Sequence, residues 1–135
     1  MTTEPAFLAD CRTRLAFDLV SHTWNPVVLW SLKDGPGRPG ELREFIGGIS
    51  QKVLTETLRR LEFNGLVARQ AYGGSPPRVE YELTGLGRTL LAPIQGFGAW
   101  AHDHGDEVME AQDRYTSATP PSAEPPSRGR TGSRG

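Results

Sequence analysis

Cysteine is nearly absent from this 135-residue chain, with Cys11 alone. One thiol excludes an internal disulfide, and it excludes a structural zinc site built from four soft or imidazole ligands. Any disulfide must join two chains. Long apolar runs are missing too: nothing approaches the roughly 18 uninterrupted apolar residues of a membrane span, and the opening MTTEPAFLAD lacks the basic-then-apolar pattern of a secretory signal. The expected location is the cytoplasm, with no membrane partner. Apolar residues make up only 36% of the chain and aromatics 8%, enough for one core. Catalytic constellations are lacking as well. No triad or phosphate-cradling loop stands out, and the carboxylates lie in solvated helical patterns, so the expectation is a non-enzyme without a cofactor. His102 and His104 are two residues apart, which points them to different faces of a helix, and no further His or Cys cluster accompanies them. No metal is expected.

Excess charge of one sign is also missing. The formal net charge is -1, which argues against a generic nucleic-acid binder, so the distribution of charge carries the information. Between Arg38 and Leu90, the eight bases Arg38, Arg43, Lys52, Arg59, Arg60, Arg69, Arg78 and Arg88 outnumber the six acids Glu41, Glu44, Glu56, Glu62, Glu80 and Glu82. Between Leu91 and Tyr115 the balance reverses, with Asp103, Asp106, Glu107, Glu110 and Asp113 against Arg114. Phosphate contact therefore belongs to the middle of the chain. Three units follow from this: a flexible N-terminus at 1–10, a folded domain at 11–115, and a tail at 116–135. The tail, TSATPPSAEPPSRGRTGSRG, has too little apolar surface to offset ordering entropy and is expected to be disordered.

Within the domain, RLAFDLV sets Leu15, Leu19 and Val20 on one helical face. In WNPVVLWSLKDGPG, Asn25 suits an N-cap and Pro26 the first helical position, and Gly35-Pro36 ends the helix. Leu42, Phe45 and Ile46 recur at helical spacing before Gly47-Gly48. Another helix follows at once in SQKVLTETLRRLEFNG. Ser50 is placed to cap it, Asn64-Gly65 to stop it, and Val53, Leu54, Leu58 and Leu61 form its inward stripe. Two helices joined by a short glycine-containing turn match a helix-turn-helix, whose second helix enters the major groove. LVARQAY and RVEYELT then alternate apolar and polar residues around Gly73-Gly74-Ser75-Pro76-Pro77, the pattern of a hairpin with a long loop. A helix-turn-helix followed by a hairpin is a winged helix. Thr84 caps a last long helical stretch, which Pro93, Gly96 and Gly98 are expected to kink or fray. The expected class is α+β, mostly helical, with a two- to three-stranded β wing.

The strings CRTRLAFDLVSHTW, LKDGPGRPGELREFIGGISQKVLTETLRRLEFNGLVARQAY and SPPRVEYELTGLGRTLLAPIQGFGAWA, spanning residues 11–104, resemble the HxlR family of bacterial winged-helix regulators, a MarR-like branch. The resemblance implies a homodimer built from the first and last helices, with Leu15, Leu19, Leu90, Ile94, Phe97 and Trp100 at its interface. It implies a regulator, a repressor by expectation, presenting two recognition helices to major grooves about 34 Å apart. Cys11 matches the cysteine that several members use as a redox or electrophile sensor, and Arg12 and Arg14 beside it favour a reactive thiolate. The chain departs from the family at Cys11-Arg12, where many members have Cys-Pro, and at Ser21-His22-Thr23-Trp24, where many have Gly-Gly-Lys-Trp. It also has Arg38-Pro39 in place of Arg-Phe, so the first strand is expected to lose a ladder bond.

For double-stranded DNA, the candidates are Arg38, Ser50, Gln51, Lys52, Thr55 and Arg59, with Ser75 and Arg78 on the wing. Helix N-termini, Ser, Thr and Lys hold phosphates, while Gln and Arg make paired bonds to adenine and guanine edges. Arg60 and Arg69 are weaker candidates, since Glu62 or Glu80 competes for them. Trp24, Trp30, Phe97 and Trp100 could line a pocket for a small aromatic effector, against plain core packing. The rival function is a winged-helix module for protein contacts, which calls for apolar or acidic residues where Gln51, Lys52, Thr55 and Arg59 stand. A thiol enzyme acting through Cys11 lacks a resolving cysteine.

Overall fold

The computed structural model describes residues 11–118. Its elements run α1 (Cys11–Ser21), α2 (Trp24–Ser31), α3 (Pro39–Ile46), α4 (Gln51–Phe63), β1 (Val67–Tyr72), β2 (Arg78–Leu83), α5 (Gly85–Arg88) and α6 (Leu91–Ala118). The core lies where α2, α3 and α4 pack on one another and on the base of the hairpin. Val28, Leu29 and Leu32 come from the α2 segment, Leu42 and Ile49 from around α3, and Leu54, Leu58 and Leu61 from α4. Leu66, Val67, Tyr81 and Leu83 close it from the sheet side. On the helices these residues leave water at the 3.6-residue period, and on β2 Tyr81 and Leu83 at the two-residue period, but β1 departs from the expected alternation: only Val67 is buried and its remaining residues point into solvent or lie at its margin.

Helix α1 has no buried residue, and Leu19 is its main apolar contact with the core. The break before α2 falls at His22-Thr23. Asn25 is not the N-cap that the Asn-Pro pair suggests: α2 begins at Trp24, two residues before Pro26, with Thr23 in the capping position and making no side-chain cap. Pro26 still sits in the first turn, where a missing N–H costs nothing. This frees the Asn25 side chain to turn inward, where the residue is 1% exposed.

Pro39 opens α3 as its first residue, the position for which its fixed φ is suited. The strand expected just before it shrinks to one bridge. Gly37 and Tyr81 exchange two backbone bonds of 2.8 Å, and pairing ends there because the chain turns into α3 at Pro39. Only Leu42 of α3 is buried, with Ile46 packed against the core and Phe45 left outside. Gly47 and Gly48 form the turn with φ of +70° and +71°, a left-handed pair that a side chain would strain. Ser50 then caps α4 by accepting the Val53 N–H at 3.1 Å. Thr57 joins the inward face of α4, its Oγ1 donating to the Val53 carbonyl at 2.7 Å, which lets a polar residue lie buried without an orphan group. Asn64 and Gly65 end the helix, and the Leu66 N–H returns to the Leu61 carbonyl at 2.9 Å.

The hairpin pairs Val67 with Leu83 through to Tyr72 with Arg78, leaving residues 73–77 as its loop. Thr84 caps α5 by accepting the Gly87 N–H at 3.0 Å and donates to the Gly65 carbonyl at 2.6 Å, tying the sheet to the end of α4. Helix α6 is continuous through Pro93, Gly96 and Gly98, so the helix does not fray there, and the interruption lies upstream at Thr89-Leu90. Pro93 is the third residue of α6, so the N–H it lacks is one the first turn does not use. The helix runs on through Thr116, Ser117 and Ala118. The remainder of the tail and residues 1–10 lie outside the described residues.

Candidate nucleic-acid interface

Because Val53, Leu54, Thr57, Leu58 and Leu61 turn α4 inward, its opposite face is exposed, and it is polar until it ends in Phe63, which is 89% exposed. Gln51, Lys52 and Arg59 project into solvent together with Glu56 and Glu62. Thr55 is half-buried, and its hydroxyl donates to the Gln51 carbonyl at 2.9 Å. Its acceptor lone pairs and methyl group remain for a ligand. Ser50 spends one lone pair of Oγ on its cap, which holds the first turn of α4 open at the end where the helix dipole is positive. One stretch thus carries a hydrogen-bonding amide, two cations and a helix N-terminus, the groups that meet base edges and phosphates.

The wing adds Ser75 in its loop and Arg78 at the start of β2, both exposed. Arg38 is less free. Its Nε lies 3.4 Å from Glu41 and 3.8 Å from Glu80, so a phosphate must compete with two carboxylates for it. Arg69 faces Glu62 at 4.0 Å, the competitor anticipated for it. Arg60 pairs with neither Glu62 nor Glu80: its Nη1 donates to Asn25 Oδ1 at 3.0 Å, a partner 35 residues away that no local pattern reveals. Arg43, on the outer side of α3, is a further exposed cation beside the helix-turn-helix that sequence reasoning did not single out.

Cys11 is an exposed free thiol at the start of α1. Of the six apolar residues assigned to an interface, Leu19, Leu90 and Ile94 pack partly against the core. Leu15, Phe97 and Trp100 stay 54–60% exposed. No residue of α6 is buried along its 28 residues, a length of about 42 Å. A groove of about 830 Å³ runs between α2, α3 and α6, lined by Trp30, Phe45, Ile46, Ile94, Phe97 and His102 among others. Of the four aromatics expected to share a pocket, Trp30 and Phe97 line this groove. Trp100 lines a smaller depression of about 580 Å³ with Pro93, Gly96 and Phe97, and Trp24 packs against the core. His104 lies 3.2 Å from Glu107, and no group of three or more metal-ligating side chains comes together among the described residues. No helix among them is long and apolar enough to cross a membrane.

The geometry of a capped helix with a polar outer face, preceded by a short helix and followed by a hairpin, finds its match in one family model. The HxlR-like helix-turn-helix model covers residues 19–109. The chain belongs to the HxlR-like helix-turn-helix family. Among HxlR-like relatives, the HTH-type transcriptional regulator YkvN of Bacillus subtilis is 37% identical, over 82% of this chain and 93% of YkvN. The reduced form of the transcriptional regulator YodB from B. subtilis superposes with a TM-score of 0.62 at 41% identity, covering 68% of this chain and 90% of YodB. Diamide-treated YodB gives 0.61 at 40% identity, covering 71% and 95%. The redox regulator HypR in its reduced form gives a TM-score of 0.68 at 32% identity, covering 73% of this chain and 98% of HypR. This HxlR-like chain is accordingly a DNA-binding transcriptional regulator and not an enzyme.

Proposed function

We propose that the protein binds double-stranded DNA as a homodimer, acts as a repressor in the cytoplasm, and changes its grip on DNA when Cys11 is oxidised or alkylated. The observation that carries this reading is the outer face of α4, where Gln51, Lys52 and Arg59 are exposed beside a helix N-terminus capped by Ser50. Thr55, Ser75 and Arg78 extend the contact, and Arg38 joins it if phosphate displaces Glu41 and Glu80. A protein-contact module calls for apolar or acidic residues at the positions of Gln51, Lys52, Thr55 and Arg59, where this chain has none.

The dimer reading is supported by the apolar side chains that α1 and α6 leave in water, including Leu15, Phe97 and Trp100, with Leu19, Leu90 and Ile94 continuing the surface toward the core. Exposed stripes on two helices cost solubility unless another surface covers them. The binding and dimerisation unit spans residues 11–115. The redox reading is supported by the exposure of Cys11 and by relatives described as a redox regulator and as a diamide-treated regulator.

The test is fluorescence anisotropy of the reduced protein on DNA from upstream of its own gene and on scrambled DNA, over a range of salt, repeated after diamide with wild type and Cys11→Ser. The expected result is tight, salt-sensitive binding that prefers the upstream DNA and weakens after diamide in wild type alone. Equal weak binding to both DNAs overturns operator recognition at that site. A diamide response that survives in Cys11→Ser overturns the thiol switch.

A further inference from the structure

We propose that Asn25 is a positioning residue that ties the N-terminal helix α1 to the recognition helix α4, so that the placement of α1 sets how α4 meets DNA. The inference rests on the DNA-binding reading. Asn25 is 1% exposed and stands near the start of α2. Its Nδ2 donates to the Leu19 carbonyl at 2.9 Å, in the last turn of α1, where carbonyls have no partner within the helix. Its Oδ1 accepts from Arg60 Nη1 on α4 at 3.0 Å. The two ends of one planar amide therefore hold two helices that are distant in sequence.

Both halves of the link are directional. Arg60 makes no ion pair with a carboxylate among the described residues, so the half-buried guanidinium is held by a charge-assisted bond to a neutral oxygen. The carbonyl of the same Arg60 accepts from Asn64 Nδ2 at 2.8 Å, so the C-terminal end of α4 is anchored on the residue that Asn25 holds. On the other side, α1 has no buried residue, and the Asn25 bond supplements Leu19 in fixing it. A packed helix of 13 residues moves as a unit, so a shift at Arg60 displaces Gln51 and Lys52 at its far end. A group at Cys11 acts on the same α1 whose last turn this amide grips.

Two substitutions cut the link on different sides. Asn25→Asp keeps an acceptor for Arg60 and loses the donor to Leu19, and Arg60→Met releases α4 and leaves the bond to α1. The full-length variants are compared with wild type by amide hydrogen exchange without DNA, and by anisotropy on upstream and scrambled DNA. Arg60→Met is expected to speed exchange in the last turn of α1 at least threefold, although the changed residue lies on α4, and to lose this effect in an Asn25→Ala background. Asn25→Asp is expected to lower the preference for upstream over scrambled DNA about tenfold while leaving scrambled-DNA binding within twofold. Unchanged α1 exchange in Arg60→Met overturns the link, and a wild-type DNA preference in Asn25→Asp overturns its role in recognition. Should Asn25→Asp fail to fold, Asn25→Ala takes its place in the DNA arm, with the same loss of preference expected and wild-type preference overturning the role. If wild type itself shows no preference between the DNAs, the DNA-binding reading has failed, and the claim that α1 sets how α4 meets DNA fails with it. The exchange arm then still decides the link between the helices.

Discussion

Single residues carry more of this fold than their chemistry advertises. Gly87 is buried in α5, and a Cβ there would overlap the backbone carbonyl oxygen of Leu66. Backbone cannot yield as a side chain can, so Gly87→Ala is expected to cost about 2–4 kcal/mol, read as a lower urea midpoint with an unchanged slope. Tyr81 is another such point. Burial, with the negative charge of Glu62 adding to it, holds its phenol above the ordinary range, while Arg69 and Arg59 pull the other way. The folded state thus favours the neutral phenol. Its contribution is intact below the ordinary phenol pKa of about 10 and is lost as pH climbs through the raised value. Urea unfolding between about pH 8 and pH 11 should show a decline in wild type that is smaller in Tyr81→Phe. Asn25 shows where residue-level reading fails: beside Pro26 it reads as a cap, and its real partners at Leu19 and Arg60 are set by tertiary packing.

At the level of elements, α4 offers the sharpest separation of roles. Lys52 and Gln51 are neighbours on its exposed first turn, yet one presents a point charge and the other a paired donor and acceptor. Lys52→Gln is expected to weaken all DNA sequences alike and to reduce the slope of log affinity against log salt by about 1. Gln51→Ala is expected to leave that slope alone and to flatten preference at one base position, at a cost of about 1–3 kcal/mol on the preferred site. Titrations over a salt series and a set of single-base variants separate the two. The bounds of α4 are legible in the sequence because its signals are local: Ser50 three residues before the Val53 N–H it accepts, and Asn64-Gly65 at the stop. The interruption before α6 is less legible. Pro93 advertises a break, but a proline in a first turn breaks nothing, and the actual gap at Thr89-Leu90 has no comparable marker.

For the whole molecule, the open quantity is the surface that α1 and α6 leave uncovered. If a second copy covers it, a double substitution of Phe97→Glu and Trp100→Glu places charges in an apolar seam and is expected to convert dimer to monomer in sedimentation velocity, with the DNA affinity falling at least tenfold. Both side chains lie more than half exposed in one chain, so the isolated fold should tolerate the change. The hairpin and helix-turn-helix are readable from the amino-acid order because the 3.6-residue period stops at Gly65 and RVEYELT alternates strictly after a Gly-Pro-rich loop, although β1 itself shows no such alternation in its burial. Which apolar residues serve the core and which face outward is not readable there. Leu90, Ile94, Phe97 and Trp100 share one spacing, and only packing divides the first pair from the second.

The long last helix has one more effect. Asp103, Asp106, Glu107, Glu110 and Asp113 are all exposed on α6, beginning about 18 Å along its axis, while Lys52 and Arg59 lie on α4. Within the described residues of a chain whose net charge is -1, these acids are thus gathered on the last helix, while α4 carries Lys52, Arg59 and Arg60 against Glu56 and Glu62. If α4 is the face that meets DNA, as proposed, a polyanion repels the acids of α6 and draws the cations of α4, and the resulting torque favours arrival with α4 leading. Salt then slows association by spoiling orientation as well as by weakening attraction.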